Sequence, residues 1–354
     1  MLEKASRPPW LVSALLTLGL LAAAPSVAAA PDFDPEEPGS AAAALVDELS
    51  AEGLPRDFLV TALARANASE EVLDAMSGAV ERHLAWPEYR AIFFTAERIE
   101  QGVTFMERHR EALERARATY GVPPEVITAI IGVETYYGRH KGDHRVLDSL
   151  ATLAFEHPER GDFFRGELAA FLRLAYEQDM EPQSLLGSYA GAMGYPQFIP
   201  TSYDAYAIDF DGDGQRDLWH NPVDAIGSVA NYFAEHGWRR GEAVYQPALG
   251  PEAPPDALAL NRTSPPDTTL GEAVSAGVYP LGRTLESLID DAESPVVPLR
   301  LAAETGPPTY RLGGYNFYVI MRYNHSHLYA MAVAELARAI AADAQSSHQD
   351  EDSA

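Results

Sequence analysis

The stretch "GVPPEVITAIIGVETYYGRH", residues 121–140, constrains the fold more than any other. Pro123 and Pro124 stand where the first turn of a helix tolerates proline, and Gly138 stands where a left-handed cap residue is expected. Between them runs an almost wholly apolar helix with Glu134 in its last turn. Ile127 and Ile130 precede Glu134 at helical spacing, so the carboxyl shares their face and points the way the core points. An apolar surround disfavours the charged form, and so does the negative end of the helix dipole. Both effects push the Glu134 pKa up, toward a carboxyl that keeps its proton near neutral pH and can protonate a leaving oxygen. The alternative is a helix-end glutamate that reaches solvent or pairs with Arg139 or Arg145, since charged side chains are rarely buried without a partner. The helix alone leaves both readings open.

The rest of the chain is read around that helix. Residues 1–30 carry Lys4 and Arg7, an apolar run from Trp10 to Ala24 and then small residues, the pattern of a secretory signal rather than a membrane span. The protein is therefore expected to be exported, to the periplasm. There is no cysteine, hence no disulfide and no cysteine for a lipid anchor. Residues 31–121 read as an α-helical lobe, with apolar spacings of three and four in pieces such as "EYRAIFFTAERIEQGVTFMERHREALERARATYG". Residues 122–241 read as the core, helices interleaved with Gly-rich loops. Residues 242–308 turn to Pro, Ala, Thr and short apolar runs such as "SPVVPLRLAA", the pattern of a small inserted β-rich lobe. Residues 309–342 return to the core through an extended, Tyr-rich run and a final helix, and residues 343–354 read as an acidic disordered tail. The fold class is α+β, mainly α. A formal charge of −26 excludes nucleic acid or anionic lipid as partners held by a general field.

Two further constellations carry chemistry. In "GSYAGAMGYPQFIPTSY", residues 187–203, Gly191, Ala192 and Gly194 allow close backbone approach, while Tyr189, Tyr195, Gln197 and Phe198 offer aromatic and amide contacts of the kind that bind sugars. A tight loop packed for its own sake is the plainer reading. In "DFDGDGQRDLWHNPVD", residues 209–224, Asp209, Asp211 and Asp213 alternate and Gly214 takes the sixth place, the spacing of an EF-hand loop. Gln215 could offer a backbone carbonyl at the seventh place and Asp217 fills the ninth, but His220 occupies the twelfth, where a bidentate Glu is usual. Asp224 is the acidic candidate beyond it. The pairs His140/His144 and His325/His327 lack a third ligand at zinc-like spacing, and no nucleophile elbow, phosphate loop or dinucleotide fingerprint occurs.

"GVETYYG", "GSYAGAMGYPQFIPTSY", "YAIDFDGDG", "DAIGSVANYF" and "NFYVIMRYN" follow one another as they do in the membrane-bound lytic murein transglycosylase B family, which this chain resembles from Trp86 to Arg338. The resemblance implies a lysozyme-like core flanked by an N-terminal α-helical lobe and a small β lobe. It implies non-hydrolytic cleavage of the β-1,4 MurNAc–GlcNAc bond of peptidoglycan, with Glu134 as general acid and then base. It also implies glycan contacts from Ser188, Gln197, Phe198 and Tyr232, a groove closed by Tyr318, Tyr323 and Asn324, and Arg160 as the cation that meets a stem peptide or muramoyl carboxylate. The family often has a second Arg beside Arg160, where this chain has Glu159, and Arg165 is the candidate substitute. A structural calcium ion is implied at Asp209, Asp211, Asp213, Gln215 and Asp224. The implied partners are peptidoglycan strands, with wall-synthesis proteins as further candidates. A hydrolytic muramidase on the same core, which needs a second carboxylate or a positioned water, and a catalytically silent glycan-binding wall protein are the competing expectations.

Overall fold

A computed structural model describes residues 33–79 and 84–351; the expected export signal at 1–30 and the last three residues of the tail lie outside them. The N-terminal lobe is built of α1 (Ala41–Ala51), α2 (Arg56–Leu63), α3 (Glu70–Ala79), α4 (Trp86–Phe93), α5 (Ala96–Arg108) and α6 (Arg110–Tyr120). Two of its helices begin where a side chain takes an orphan N–H: Ser40 caps α1 and Thr95 caps α5. The core follows as α7 (Pro124–Thr135), the two-residue strand β1 (His144–Arg145), α8 (Val146–Glu156), α9 (Gly161–Glu177), β2 (Leu186–Gly187), α10 (Pro200–Tyr206) and α11 (Pro222–Glu235). In α7, Pro124 takes the first helical place and ten of twelve residues are buried. Completely buried Ile127, Ile130 and Ile131 each contribute about 1.5–3 kcal/mol of apolar burial. That helix is the axis of the molecule.

The β lobe comprises β3 (Tyr245–Leu249), β4 (Thr268–Thr269), α12 (Leu270–Ser275), β5 (Tyr279–Pro280), α13 (Leu285–Asp290), β6 (Pro295–Leu301) and β7 (Thr309–Gly313). Its antiparallel sheet runs in the order β4-β6-β7-β3-β5. A small core of Ala248, Leu270, Ala273, Val278, Tyr310 and Leu312 belongs to this lobe, while Val297, Leu299 and Leu301 of β6 join the large core shared by the α lobe and the central helices. The sheet passes the expected boundary at residue 308, because β7 pairs along both β3 and β6.

Two other expectations are corrected. The Tyr-rich run is not extended but helical, α14 (Tyr315–Tyr323), and its start is fixed by buried Asn316, whose amide bonds Arg239 N, Arg239 O and Glu242 O. Phe317, Ile320 and Met321 are thereby turned inward. The last helix, α15 (His327–Glu351), continues well into the segment expected to be disordered, as a polar extension of a helix already anchored on α7, α5 and α4. Glu335 of α15 ties the lobes together: it accepts from Arg90 Nε of α4 at 2.6 Å and faces Arg311 of β7 at 3.9 Å.

Candidate active site

The end of α7 departs from the expected glycine cap. Tyr136 is the left-handed residue, at φ 52°, and Tyr137 (φ 61°) and Gly138 (φ 87°) continue in the same region. Such conformations cost about 1–2 kcal/mol for a residue with a Cβ, so the surroundings must impose them. They do: Tyr136 N and Tyr137 N donate to Gly132 O and Ile131 O, and Gly138 N donates to Thr135 Oγ1. Tyr137 OH reaches Arg98 O at 2.7 Å. Glycine is required at 138 for space as well, since a Cβ there would lie 2.0 Å from the Tyr195 ring. The result is a rigid helix end that holds Glu134 one residue before the turn.

Neither Arg139 nor Arg145 pairs with Glu134; they face Glu97 at 3.6 Å and Asp148 at 2.9 Å. The carboxyl instead meets tyrosines from three other helices. Tyr329 of α15 donates its hydroxyl to Glu134 Oε1 at 2.5 Å. Tyr323 of α14 stacks on Tyr329, with ring centroids 6.4 Å apart and planes at 11°. Tyr89 of α4 lies close enough for the Glu134 charge to act on it. Glu134 keeps some contact with solvent, at a position otherwise enclosed by protein. Burial pushes its pKa up to about 7, against the Tyr329 hydrogen bond, which favours the carboxylate. Burial first, and the Glu134 charge second, also raise Tyr89, to about 12, and hold Tyr323 and Tyr329 well above the ordinary phenol range.

No second carboxylate acts on Glu134 among the described residues. The two other carboxylates buried in the core have their oxygens committed. Glu167 accepts from Thr201 N at 3.0 Å and Thr201 Oγ1 at 2.8 Å, and Asp224 accepts from Phe210 N at 2.8 Å and Asp217 N at 2.9 Å. The site therefore offers one proton-carrying carboxyl.

The rings of Tyr329 and Tyr323 lead onward to Phe198 and Tyr232, whose centroids lie 5.9 and 4.8 Å from that of Tyr323. Tyr323 OH donates to Pro196 O at 2.6 Å and Tyr232 OH to Arg322 O at 2.7 Å, which ties both rings to the backbone. Gln197 sits in the left-handed region at φ 51°, its amide donating to Lys141 O and Gly194 O, while Ser188 Oγ accepts from Ala190 N and Ala192 N. Both side chains hold the Gly-rich loop in shape. Gly194 lets that loop touch the Leu218 carbonyl, where a Cβ would stand 2.3 Å away.

The structure does not gather every expected residue. Tyr318 has its ring contact with Tyr315, and Asn324, at the end of α14, is exposed. Arg160 lies at the start of α9 over Phe163 and Phe164, apart from the tyrosine cluster. Arg165, the candidate substitute, is held by Glu48 at 2.6 Å. Tyr329 and Tyr89 escaped the sequence reading: each occupies a helical position where an aromatic reads as core. The one sign was a phenol set in the otherwise aliphatic run "LYAMAVA".

At the Asp-rich loop, carboxylate oxygens of Asp209, Asp211 and Asp213 come within 4.8 Å of one another. An all-oxygen set on a tight turn fits a hard divalent cation. Asp209 Oδ1 accepts from Gly212 N and Asp213 N, and Oδ2 from Gly214 N; these donors, above all Gly214, lower its pKa. Asp224, buried, lies close enough to Asp211 for that charge to act on it and accepts from backbone on both sides of the loop, and Asp217 caps Trp219 N and His220 N. Gln215 is exposed, its N–H on Asp213 Oδ1. Asp209, Asp211 and Asp213 are the three whose carboxylate oxygens converge.

Comparison with known proteins agrees with this geometry. The transglycosylase SLT domain family matches residues 38–338. Membrane-bound lytic murein transglycosylase B of Escherichia coli K12 is 46% identical over 260 residues, 73% of this chain and 68% of that protein. The E. coli lytic transglycosylase Slt35, solved in complex with calcium, is 42% identical with a TM-score of 0.76, over 85% of this chain and 93% of its own. SltB3 of Pseudomonas aeruginosa, solved in complex with NAG-NAM-pentapeptide, is 33% identical with a TM-score of 0.74, over 84% of this chain and 78% of its own. The family match begins in the N-terminal lobe and ends inside α15, so the whole frame that carries Glu134 is shared, and the chain belongs to the transglycosylase SLT family of lytic transglycosylases.

Proposed function

We propose that the protein cleaves the β-1,4 bond between MurNAc and GlcNAc in peptidoglycan without water and leaves a 1,6-anhydromuramoyl end. The observation that carries this reading is a single carboxyl, poised near pH 7 at the end of a buried helix, with no second carboxylate acting on it among the described residues. Glycosidases that hydrolyse usually flank the bond with two. Glu134, protonated, gives its proton to the bridging oxygen as the C1–O bond breaks. The acetamido group of the sugar stabilises the positive charge that develops at C1. Glu134, now a carboxylate held by the Tyr329 hydroxyl, takes the proton of the C6 hydroxyl as that oxygen bonds to C1. The donated proton stays on the departing sugar's hydroxyl, the C6 proton restores Glu134, and no water is consumed.

Around that centre, Tyr323, backed by the buried rings of Phe198 and Tyr232, forms the aromatic wall for a sugar ring, while Gln197 and Ser188 set the loop beside it. Arg160, with its guanidinium over two phenylalanine rings, is the cation for a stem or muramoyl carboxylate. Asp209, Asp211, Asp213, Gln215 and Asp224 hold a structural calcium ion, a reading supported by the clustering of the first three carboxylates and by the calcium complex of Slt35. The protein works outside the cytoplasm, in the periplasm, where its substrate lies.

The test is mass spectrometry of soluble products from purified peptidoglycan, for wild type and Glu134→Gln. Anhydromuramoyl ends that vanish in the variant support the mechanism. Products heavier by one water would make the protein a muramidase, and release of the same products by both proteins would remove Glu134 from the chemistry.

A further inference from the structure

Beside the tyrosine cluster lies a second cleft, about 480 Å³, where α4, the β lobe and the start of α15 meet. Tyr89 lines it, and Tyr89 also feels the Glu134 charge, so the cleft and the reaction centre share a wall. Its other walls include Trp86, Arg300 and His327. No aspartate or glutamate lines it, in a chain with 52 acidic residues against 26 basic ones.

Arg300 is the informative residue. Many arginines face carboxylates, as in Arg90–Glu335, Arg145–Asp148 and Arg165–Glu48, while others, such as Arg115, Arg240 and Arg338, reach backbone carbonyls or a phenol instead. Arg300 has no ion pair among the described residues; Nη2 donates to Glu252 O at 3.0 Å, and Nε is shielded from water with no hydrogen-bond partner. The position is built rather than casual. Asn261, in the left-handed region at φ 60°, clamps the Arg300 backbone with both ends of its amide, at 2.9 and 3.0 Å. A half-buried guanidinium with donors to spare, in a cleft free of acids, is suited to an anionic group with two oxygens.

We infer that this cleft seats the peptide stem of the glycan, with Arg300 binding a stem carboxylate and the apolar wall at Trp86 covering the peptide. The inference rests on the proposed substrate and deepens it: Arg160 meets one muramoyl unit and Arg300 serves the stem of another, which makes cleavage sensitive to the state of the stems. Burial lowers the His327 pKa, so the ring is neutral at pH 7 and can serve peptide amides without competing for the carboxylate.

The test is direct binding to the full chain, which does not depend on cleavage. Three ligands are compared, each lacking the bond the enzyme cuts: the GlcNAc-MurNAc disaccharide, the same disaccharide with its peptide, and that muropeptide with its carboxylates amidated. Wild type should bind the free muropeptide more tightly than the other two. Arg300→Gln should lose about tenfold on the free muropeptide and nothing on the disaccharide, and Arg300→Lys should recover part of the loss. An equal loss on all three ligands would mean a merely structural arginine, and no loss on any would also overturn the inference. Failure of the underlying reading shows elsewhere, as intact peptidoglycan after incubation with wild type.

Discussion

Glu134 and Asp209 are carboxylates with opposite lives. Glu134 closes a buried helix, has one hydrogen-bond donor and is pushed up to about 7. Asp209 sits in an exposed loop, gathers three backbone N–H groups on its two oxygens and is pushed down. Glu167 and Asp224 lie between them: burial raises both, and their donors hold them back. What separates the proposed acid catalyst from the proposed ion ligand is the number of donors set against burial, not the side chain itself.

The sharpest break in this comparison is removal of the one group that burial keeps protonated. Glu134→Gln keeps the volume and a partner for Tyr329 but has no proton to give, so activity on peptidoglycan should fall by about a thousandfold. Turbidity clearance at pH 7, with circular dichroism to show a retained fold, checks it. The same substitution should act on stability with a sign set by linkage. The folded pKa of Glu134, about 7, exceeds its ordinary 4.5, so the native state holds a proton that the unfolded chain has lost. Wild-type stability is therefore complete below about pH 4.5 and declines as pH rises toward 7. Glu134→Gln escapes that decline. Its melting temperature should match wild type at pH 4 and exceed it at pH 8, where the difference approaches about 3 kcal/mol at most, given partial contact with solvent. Equal melting temperatures at both pH values would mean Glu134 titrates as an ordinary acid.

A smaller change tests the donor side. Tyr329→Phe removes the hydrogen bond that favours the carboxylate, so burial acts unopposed and the Glu134 pKa rises. The alkaline limb of kcat/KM should move to higher pH by about one unit. A limb that stays in place, with only the rate reduced, would leave Tyr329 a steric role.

These residues were not equally legible beforehand. The α7 helix could be read because prolines at its start and an unbroken apolar face are local signals, and so could Asp209, Asp211 and Asp213, whose spacing is their geometry. The cap of α7 could not: Tyr136 and Tyr137 take left-handed angles that their residue type disfavours, imposed by contacts with Arg98 and the Tyr195 loop. Tyr89 and Tyr329 stand 45 residues before and 195 after Glu134, and no periodicity encodes a meeting across such distances. Asp224 fits the spacing of a long calcium loop, but its burial beside Asp211, with Phe210 N and Asp217 N on its oxygens, is set by packing that spacing does not show. Type and spacing singled out Glu134; tertiary packing decided which groups act on it.

The Asp-rich loop should give the mildest response. Three carboxylates within 4.8 Å of one another repel unless an ion or a proton joins them, and backbone donors already stabilise Asp209 as an anion, so the loop keeps its shape before any ion binds. Calcium then adds only its mass-action share, about 1.4 kcal/mol at tenfold excess over its Kd, or a few degrees in melting temperature. The loop runs directly into α11, which carries Tyr232, so what calcium protects is the aromatic wall and not the acid. Calorimetry of chelator-stripped protein should show that shift on adding calcium, with turnover at low temperature nearly unchanged, and Asp209→Asn should abolish the shift without touching the alkaline limb set by Glu134. If calcium instead moved that limb, the loop and the helix end would be electrostatically coupled, and their two environments could no longer be treated as separate.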